Sequence, residues 1–348
     1  MNEPEFAVVG SYTRDGGDGL STHRIDGVSI TLCDTAREED PSFLDVHPTE
    51  RFVVAVNERE NGSAVSYRID DDDGSLDRLD ATGTGDDGPC HVALDPTGDY
   101  AVVSHYAGGS VALLSVSSDG ALDGPLDRQE HEGSGPNDDR QAAPHPHSAW
   151  FVTDSLVYVP DLGADQVVVY ELDRRAERLR PLGDATVDCE PGAGPRHLAF
   201  HPNEPVGYLL NELDATLTVL DLTDPRYPVV EETHSMLPDD VDPNGTIAAD
   251  VHVHPDGEHV FATNRGHDSI ASFATRDSPL NVSRTDVRPT DGKWPRNFAI
   301  HPDGERVFVC HQHSDTIVPF GFDSDAGTLD RIGGATALGA PVCLRFVA

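Results

Sequence analysis

A repeat of about 50 residues, built from two short apolar strands joined by a His-Pro or Asp-Pro turn, constrains this chain more than any other feature. In the copy that begins at Pro195, residues 198–200 predict a strand, residues 201–205 a turn and residues 206–210 the return strand. Similar copies begin at Pro41, Pro89 and Pro295, and looser ones at Pro146 and Ala248. Short strands that recur at this period between Gly, Asp and Pro turns are typical of a β-propeller.

The two ends of the chain supply one further blade. Residues 341–347 predict a first strand with nothing after it, and residues 6–13 predict a second strand with nothing before it. Joined, they add a seventh blade to the six internal copies and leave no open sheet edge. We therefore predict an all-β fold with one domain over residues 1–348. It is a seven-bladed β-propeller of four-stranded antiparallel blades, closed by the N- and C-terminal strands in one blade.

The charge of the chain is strongly one-sided, with 62 acidic residues, 24 basic residues and a net charge of −38. Acidic runs such as residues 70–73 fall between predicted strands and are therefore expected on the surface. Regular strand patterning along the chain argues against disorder as the reason for this charge. We interpret it as an adaptation to high salt, where ions screen the self-repulsion. Such a surface repels nucleic acid and anionic membranes, so we expect neither as a partner.

The N-terminal residues contain no basic region followed by an apolar stretch, and no apolar run approaches membrane-spanning length, so neither a signal peptide nor a membrane span is predicted. The five cysteines are odd in number and form no C-x-x-C pair, which argues against a disulfide framework and a zinc site. We expect a cytoplasmic protein with free thiols, a monomer or small homo-oligomer, with no metal and no cofactor.

Propeller geometry brings the starts of the first strands and the ends of the second strands to one mouth of the central channel. Arg196, Arg265 and Arg296 converge there, the pattern expected for an anionic ligand in so acidic a chain. Two polar loops, 130–144 and 237–245, precede first strands and could overhang this mouth, although a plain surface insertion explains the second equally well. The other side chains predicted at this mouth are Ser11, Tyr12, Ser42, Phe43, Asn57, Glu58, Cys90, His91, His105, Tyr106, His147, Ser148, Asp161, His197, Asn211, Glu212, Asp250, Asn264, Asn297, His311 and Gln312.

Several motifs resemble those of the lactonase family of seven-bladed propellers, which includes 6-phosphogluconolactonases of one type and the carboxy-cis,cis-muconate cycloisomerases. They are P-H-P-H-S at 144–148, P-D-L-G-A-D at 160–165, G-A-G-P-R-H-L-A-F-H-P at 192–202, N-E-L at 211–213, N-R-G-H-D-S-I at 264–270 and P-R-N-F-A-I at 295–300. The resemblance spans essentially the whole chain. It implies a metal-independent site at the channel mouth, with a catalytic set that comprises His147, Arg196, Glu212 and Arg265.

Three positions differ from the family pattern. Asp250 stands where the family usually has Glu, and His105 and His311 stand where Asn is common. These differences leave the predicted fold unchanged and bear on the identity of the substrate.

The expected reaction is hydrolysis of a sugar-acid lactone resembling 6-phosphogluconolactone. It needs a base to activate water, a positive group for the oxyanion and an acid for the leaving alkoxide. Either Glu212 or His147 is the base, the other acts as the acid or orients it, and Arg196 stabilises the oxyanion. Arg265, with Arg296, would hold the carboxylate or phosphate of a small anionic lactone or carboxylate substrate. The residues predicted to bind substrate are His91, His105, His197, Asp250, Arg296 and His311.

Two other functions fit the same residue types. One is a cycloisomerase that forms a lactone from a carboxymuconate. The other is a propeller that binds or scaffolds without catalysis, which would scatter the charged residues over both faces. Arg196 and Glu212 could also form a structural ion pair within their hairpin. His311 and His313 are the best candidates for a metal site, which we consider the lesser alternative. The histidines before the turn prolines, at the opposite strand ends, are expected to be structural.

The charge interpretation predicts that salt stabilises the fold. The Debye length falls from ~30 Å at 0.01 M to ~3 Å at 1 M ionic strength, which removes most repulsion between surface carboxylates. The thermal unfolding midpoint should therefore rise steadily with KCl concentration, as measured by circular dichroism. A midpoint that does not move between low and molar KCl would contradict the interpretation.

Overall fold

The computed structural model describes residues 6–48, 52–183, 185–275 and 278–347, and its strands form seven antiparallel sheets. The strands are β1 Phe6–Ser11, β2 Leu20–Asp26, β3 Ser29–Ala36, β4 Pro41–Val46, β5 Phe52–Asn57, β6 Ser63–Ile69, β7 Leu76–Gly83, β8 Pro89–Leu94, β9 Tyr100–His105, β10 Ser110–Val116, β11 Leu122–Glu130, β12 Trp150–Phe151, β13 Leu156–Asp161, β14 Gln166–Asp173, β15 Arg178–Pro181, β16 Val187–Asp188, β17 Pro195–Phe200, β18 Val206–Asn211, β19 Thr216–Asp221, β20 Val229–Ser235, β21 Ile247–Val253, β22 His259–Arg265, β23 Ser269–Ala274, β24 Ser283–Pro289, β25 Pro295–Ile300, β26 Arg306–His311, β27 Thr316–Asp323, β28 Thr328–Arg331, β29 Thr336–Ala337 and β30 Pro341–Val347. A 3-10 turn covers Thr13–Asp15.

Each sheet is one blade of a propeller, which confirms the predicted fold. From the inner strand outward, the blades are β30-β1-β2-β3, β4 to β7, β8 to β11, β12 to β15, β17 to β20, β21 to β24 and β25 to β28. The inner strands follow one another around the ring, and β30 lies against both β25 and β4. In the fourth and seventh blades the outer strand is broken in two, because β16 and β29 pair with the part of the third strand that β15 and β28 leave uncovered.

The two ends of the chain close the ring, as predicted. Strand β1 pairs with β30 in an antiparallel register that runs from Phe6 opposite Val347 to Ser11 opposite Pro341. The side chains of β1 are buried throughout. The prediction of one domain over 1–348 stays a prediction, and residues 1–5 and 348 lie outside the described residues.

Packing between blades explains why the second strands do not alternate between apolar and polar residues. The strand Phe52–Asn57 is buried at all its positions, whereas the outer strand Leu76–Gly83 is mostly exposed or half-buried. A strand covered on both faces needs apolar side chains on both faces, so its sequence is a continuous apolar run. The core is therefore a set of apolar layers between neighbouring blades.

The histidines before the turn prolines join one blade to the next. His47 Nε2 lies 3.2 Å from the carbonyl oxygen of Gly98, and His254 Nε2 lies 2.7 Å from that of Gly304. Gly98 has a φ of +79°, and a Cβ there would meet the His47 ring. The turn of one blade is thus fixed against the turn of its neighbour, at the strand ends opposite the predicted site.

Among the residues that the structure describes, no helix has the length and apolar character that crossing a membrane requires.

The closing blade should be essential to stability. Leu344 on β30 is fully buried among side chains of the first and seventh blades. Because Leu344→Ala removes buried surface and leaves a cavity, it should lower the free energy of unfolding by about 2–5 kcal/mol in denaturant titrations. Ile332→Ala is the control, since Ile332 is 45% exposed and its loss should change little. Equal effects of the two substitutions would show that the closing blade contributes no special stability.

Candidate active site

A cavity of about 310 Å³ opens where the first strands begin and the second strands end. Six blades, the second to the seventh, contribute to its wall, together with the loop that precedes the fourth blade. The residues that line it are Glu58, Cys90, Tyr106, Arg140, His147, Arg196, Glu212, Arg265 and Arg296. All four residues of the predicted catalytic set lie in this cavity, and so does Arg296.

A recurring β-bulge aims the first-strand side chains. The register between β17 and β18 shifts between Pro195 and His197, so Arg196 has no partner across the hairpin. The same shift falls between Pro89 and His91 and between Pro295 and Asn297. The residue at each shift, Arg196, Cys90 or Arg296, lines the cavity. A bulge redirects side chains in this way because it adds one residue to one strand.

Glu212 is the centre of the cavity's charge network. Its Oε2 accepts from Arg196 Nη1 and lies within 2.8 Å of both Arg196 and Arg265, while its Oε1 lies 2.7 Å from Arg140 Nη2. Burial alone would raise the pKa of Glu212, but the charges of Arg265, Arg196 and Arg140 hold it well below its usual range. Glu212 is therefore a carboxylate at any physiological pH.

His147 lies beside this network as a neutral base. Arg196 Nη1 contacts His147 Nε2, and Glu212 Oε2 lies 3.6 Å from the same nitrogen. A guanidinium can only donate, so Nε2 is the acceptor and the neutral ring carries its proton on Nδ1. Burial, and then the charge of Arg196, lower the pKa of His147 well below its usual value. Cys90, next to His147, is a neutral thiol because burial raises its pKa.

A second charged group forms another part of the wall. Arg296 Nη2 donates to the Tyr12 hydroxyl at 2.6 Å, and that hydroxyl donates to Glu58 Oε2, also at 2.6 Å. Arg14 Nη2 lies 3.0 Å from the other oxygen of Glu58. Arg296 Nη2 itself is 3.9 Å from Glu58 Oε2, so among the residues that the structure describes its contact with a carboxylate is a long one. The sequence analysis predicted Tyr12, Glu58 and Arg296 at this mouth but predicted no contact among the three.

Arg140 is the functional residue that sequence reasoning missed. It comes from the loop 130–144, which was predicted to overhang the mouth without any single residue being chosen. Arg140 Nη2 also lies 3.0 Å from the Tyr106 hydroxyl, and the next residue, Gln141, anchors the loop by donating to the carboxylate of Asp165 at 2.7 Å. Arg140 is the one basic side chain in that loop apart from histidine, and this signal could have identified it. The other loop, 237–245, does not line the cavity.

The cavity is positive although the protein is strongly negative. Four arginines line it against two glutamates, an excess of two positive charges in a chain of net charge −38. With His147 neutral, this excess is the net charge of the wall. A larger cavity of about 590 Å³ lies at the opposite mouth, but its wall is mainly apolar. The smaller, charged cavity is therefore the candidate active site.

Three of the residues predicted to bind substrate form a layer beneath the cavity. Asp250 Oδ1 accepts from His197 Nδ1 at 2.8 Å, and Asp250 Oδ2 from His252 Nε2 at 3.0 Å. Burial, and then the charge of Arg196, lower the pKa of His197 to about 4. His91 stacks on Phe43 and borders the opposite mouth. His91, His197 and Asp250 therefore do not line the cavity, contrary to the prediction, because the bulge turns them the other way.

His105 and His311 also lie outside the cavity, which corrects their predicted place. In the third, fifth and sixth blades a side chain at the end of the second strand turns back onto its own third strand, and His311 is fully buried at the corresponding place in the seventh. His105 Nδ1 lies 3.3 Å from Ser110 Oγ, just as Asn211 Nδ2 lies 2.9 Å from Thr216 Oγ1 and Asn264 Nδ2 lies 3.2 Å from Ser269 Oγ. This position is structural in the blades where these contacts are seen.

Comparison with known proteins gives a consistent result over the whole chain. The family model described as "Lactonase, 7-bladed beta-propeller" matches residues 6–346. A 6-phosphogluconolactonase of Bacillus subtilis is 30% identical over 348 residues, which cover 98% of both chains. Among solved structures, the periplasmic gluconolactonase of Pseudomonas aeruginosa superposes with a TM-score of 0.93 at 31% identity, covering 99% of both chains. A putative 6-phosphogluconolactonase of Bacteroides fragilis gives a TM-score of 0.93 at 28% identity, covering 100% of this chain and 99% of that one.

The buried histidines at the second-strand ends predict acid sensitivity. Burial lowers the pKa of both His105 and His311 to about 4, whereas an exposed histidine has ~6.5. Between about pH 6.5 and about pH 4 these histidines bind protons in the unfolded chain but not in the folded chain. The contribution of the two neutral histidines to stability is therefore full above about pH 6.5 and is lost as the pH falls towards about 4. The double variant His105→Asn/His311→Asn copies the Asn found at this place in three other blades. It should lose less stability on acidification, by up to ~3 kcal/mol per histidine.

The measurement is denaturant unfolding at about pH 7 and about pH 5 in constant salt, with the exposed His313→Asn as the control. If the double variant and the control lose the same stability between the two pH values, the assignment of the acid sensitivity to these two histidines is wrong.

Proposed function

We propose, since this chain belongs to the lactonase family of seven-bladed β-propellers, that the cavity around Glu212 hydrolyses the lactone of a phosphorylated sugar acid. The observation that carries the proposal is the excess of two positive charges in the cavity wall. A phosphate monoester carries about −1.5 to −2 charges at pH 7, which matches this excess. A neutral lactone would leave it uncompensated. The names of the relatives, which include both 6-phosphogluconolactonase and gluconolactonase, are consistent with either substrate.

In this proposal His147 is the general base. In this structure Nε2 accepts from Arg196 Nη1, and the ring is neutral because its pKa is low. The lone pair of Nε2 becomes free for a proton once Arg196 Nη1 turns from it to the carbonyl oxygen of the bound lactone. Water attacks the lactone carbonyl carbon and gives its proton to Nε2. The bond from that carbon to the ring oxygen then breaks, and the imidazolium returns the proton to the leaving alkoxide. A low pKa weakens His147 as a base but makes its imidazolium a strong acid for this second step.

Arg196 stabilises the negative charge that forms on the carbonyl oxygen. Its guanidinium is almost fully buried, and its Nε donates to the carbonyl oxygen of Ala249, which fixes its orientation. Donors that are already oriented in a site shielded from water stabilise a developing oxyanion effectively, because they need no reorganisation during the reaction.

Glu212 acts as a positioning residue. Three arginines occupy its two oxygens, so it has little capacity left to accept a proton from water. Its role is to hold Arg196, Arg265 and Arg140 in one place despite their mutual repulsion. Without it, three guanidinium groups would share one wall without a counter-charge.

Arg296 and Arg140 hold the phosphate of the substrate. Arg296 is oriented by the Tyr12 hydroxyl and keeps donors available for an anion. Arg140 is 34% exposed on the side chain, so it can shift towards a ligand at the rim. Guanidinium groups suit this task because they bind phosphate through two parallel hydrogen bonds.

We propose the cytoplasm as the compartment. All five cysteines are free, and Cys90, Cys310 and Cys343 are buried, which suits a reducing environment. The Pseudomonas aeruginosa relative is periplasmic, so the compartment differs within the family if this proposal holds.

The test is a lactonase assay in molar KCl with glucono-1,5-lactone and its 6-phosphate, following acid release. His147→Asn should lower kcat by about 10²–10⁴-fold on both substrates, because the base is lost. Arg296→Gln should raise KM for the phosphorylated lactone and leave the unphosphorylated one nearly unchanged. Arg331→Gln, at an exposed ion pair with Asp291, is the control and should behave as wild type.

The two parts of the proposal can fail separately. Absence of wild-type turnover on either lactone would contradict the lactonase proposal. Turnover that is equal on both lactones, with Arg296→Gln affecting both alike, would contradict only the assignment of a phosphorylated substrate.

A further inference from the structure

Two histidines and an aspartate converge in the turn between the first two strands of the sixth blade, at the strand ends opposite the candidate active site. His254 Nδ1 lies 2.9 Å from Asp256 Oδ1, and His259 Nδ1 lies 3.6 Å from Asp256 Oδ2. One ligand atom from each of the three residues lies within 4.8 Å of the others. Both imidazole rings are buried, His254 to 7% exposure and His259 to 1%.

The hydrogen bonding of His254 leaves a lone pair that faces a carboxylate. Its Nε2 lies 2.7 Å from the carbonyl oxygen of Gly304, in the turn of the seventh blade. A carbonyl only accepts, so Nε2 carries a hydrogen, and Nδ1 of the neutral ring is a lone pair. That lone pair accepts from the backbone N–H of Asp256 at 3.4 Å, but it also lies 2.9 Å from Asp256 Oδ1, and these two acceptors repel each other. A positive charge between them removes the conflict.

The seventh blade contains the same motif and supplies its own positive charge. The sequence is H-P-D-G-E-H at 254–259 and H-P-D-G-E-R at 301–306, so the two copies differ only at their last position. Arg306 Nη2 lies 3.1 Å from His301 Nδ1, and Arg306 Nε lies 2.8 Å from Asp303 Oδ2. One guanidinium thus contacts both the histidine lone pair and the carboxylate. At the equivalent place the sixth blade has His259, whose imidazole is not a permanent cation and belongs to a side-chain type that ligates metals.

We propose that a divalent cation of the zinc class binds between His254 Nδ1, the Asp256 carboxylate and His259 Nδ1. Two imidazole nitrogens and a carboxylate oxygen are ligands that zinc prefers, and water can complete the coordination because the Asp256 side chain is 32% exposed. The contact of His254 Nε2 with Gly304 is the outer hydrogen bond that commonly orients a metal-bound histidine. The bound cation would fix the sixth blade's turn against the seventh blade, as Arg306 fixes its own turn.

This site is independent of the proposed lactonase reaction, since it lies at the other strand ends and involves none of the cavity residues. A protonated His259 paired with Asp256 is the alternative source of positive charge. The metal proposal and this alternative differ in whether the purified chain binds a divalent cation.

The test is to remove any bound metal with a chelator. The protein is then titrated with Zn²⁺, followed by calorimetry, and with Co²⁺, followed by visible absorbance. We expect one tight site in the wild type and a rise of the thermal midpoint with Zn²⁺. His259→Arg copies the seventh blade and should keep the fold while weakening binding by roughly 100-fold or more, since even the loss of an outer partner costs 10–100-fold. Asp256→Asn is a second variant, which removes the charge but keeps the size.

The reciprocal variant Arg306→His gives the sharpest control, because it turns the seventh-blade motif into that of the sixth. The Arg306→His variant should gain a second metal site with a similar set of ligands. Weak binding of metal by the acidic surface is expected in every variant, and His259→Arg measures that background. Wild-type binding no stronger than that of a folded His259→Arg variant would overturn the proposal and assign the positive charge to a proton.

Discussion

The pairing of β1 with β30 is the constraint on which the rest of the structure depends. It joins residues from the two ends of the chain and makes the seventh sheet a blade like the others. Once the ring is closed, the inner strands of all blades face one axis, and side chains far apart in sequence meet at its mouths. The ion pair of Glu212 with Arg196 lies within one hairpin, whereas those with Arg140 and Arg265 join it to the loop before the fourth blade and to the sixth blade.

A local feature then decides which side chains reach the active-site cavity. In the third, fifth and seventh blades the bulge near the start of the first strand sends one residue to the cavity and the next to the layer beneath, as Arg196 and His197 illustrate. The lower layer still serves the site, because Asp250 holds His197 by a hydrogen bond of 2.8 Å directly under Arg196. Residues that line the cavity and residues that support it from beneath thus alternate along one strand.

The surface and the active-site cavity of this protein differ in the sign of their charge. Its surface is so acidic that salt is expected to stabilise it, yet its cavity gathers four arginines. The arginines stay together because Glu212 is buried among them and its pKa is held well below the usual range. The same need for a balancing charge recurs at the opposite strand ends, where Arg306 satisfies one His-Asp turn and His259 takes its place in the next.

The sequence by itself determined the repeat, the seven blades, the closure by the chain ends and the mouth at which Arg196, Glu212 and Arg265 meet, because strand period and turn residues are local properties. It misplaced His91, His105, His197, Asp250 and His311, since a one-residue bulge or a turned side chain reverses direction without changing the pattern. Only the tertiary structure decided that Arg140 reaches Glu212 from its loop, and that His254, Asp256 and His259 lie within reach of one cation. These contacts depend on side-chain directions and loop paths, which the packing of the closed ring fixes.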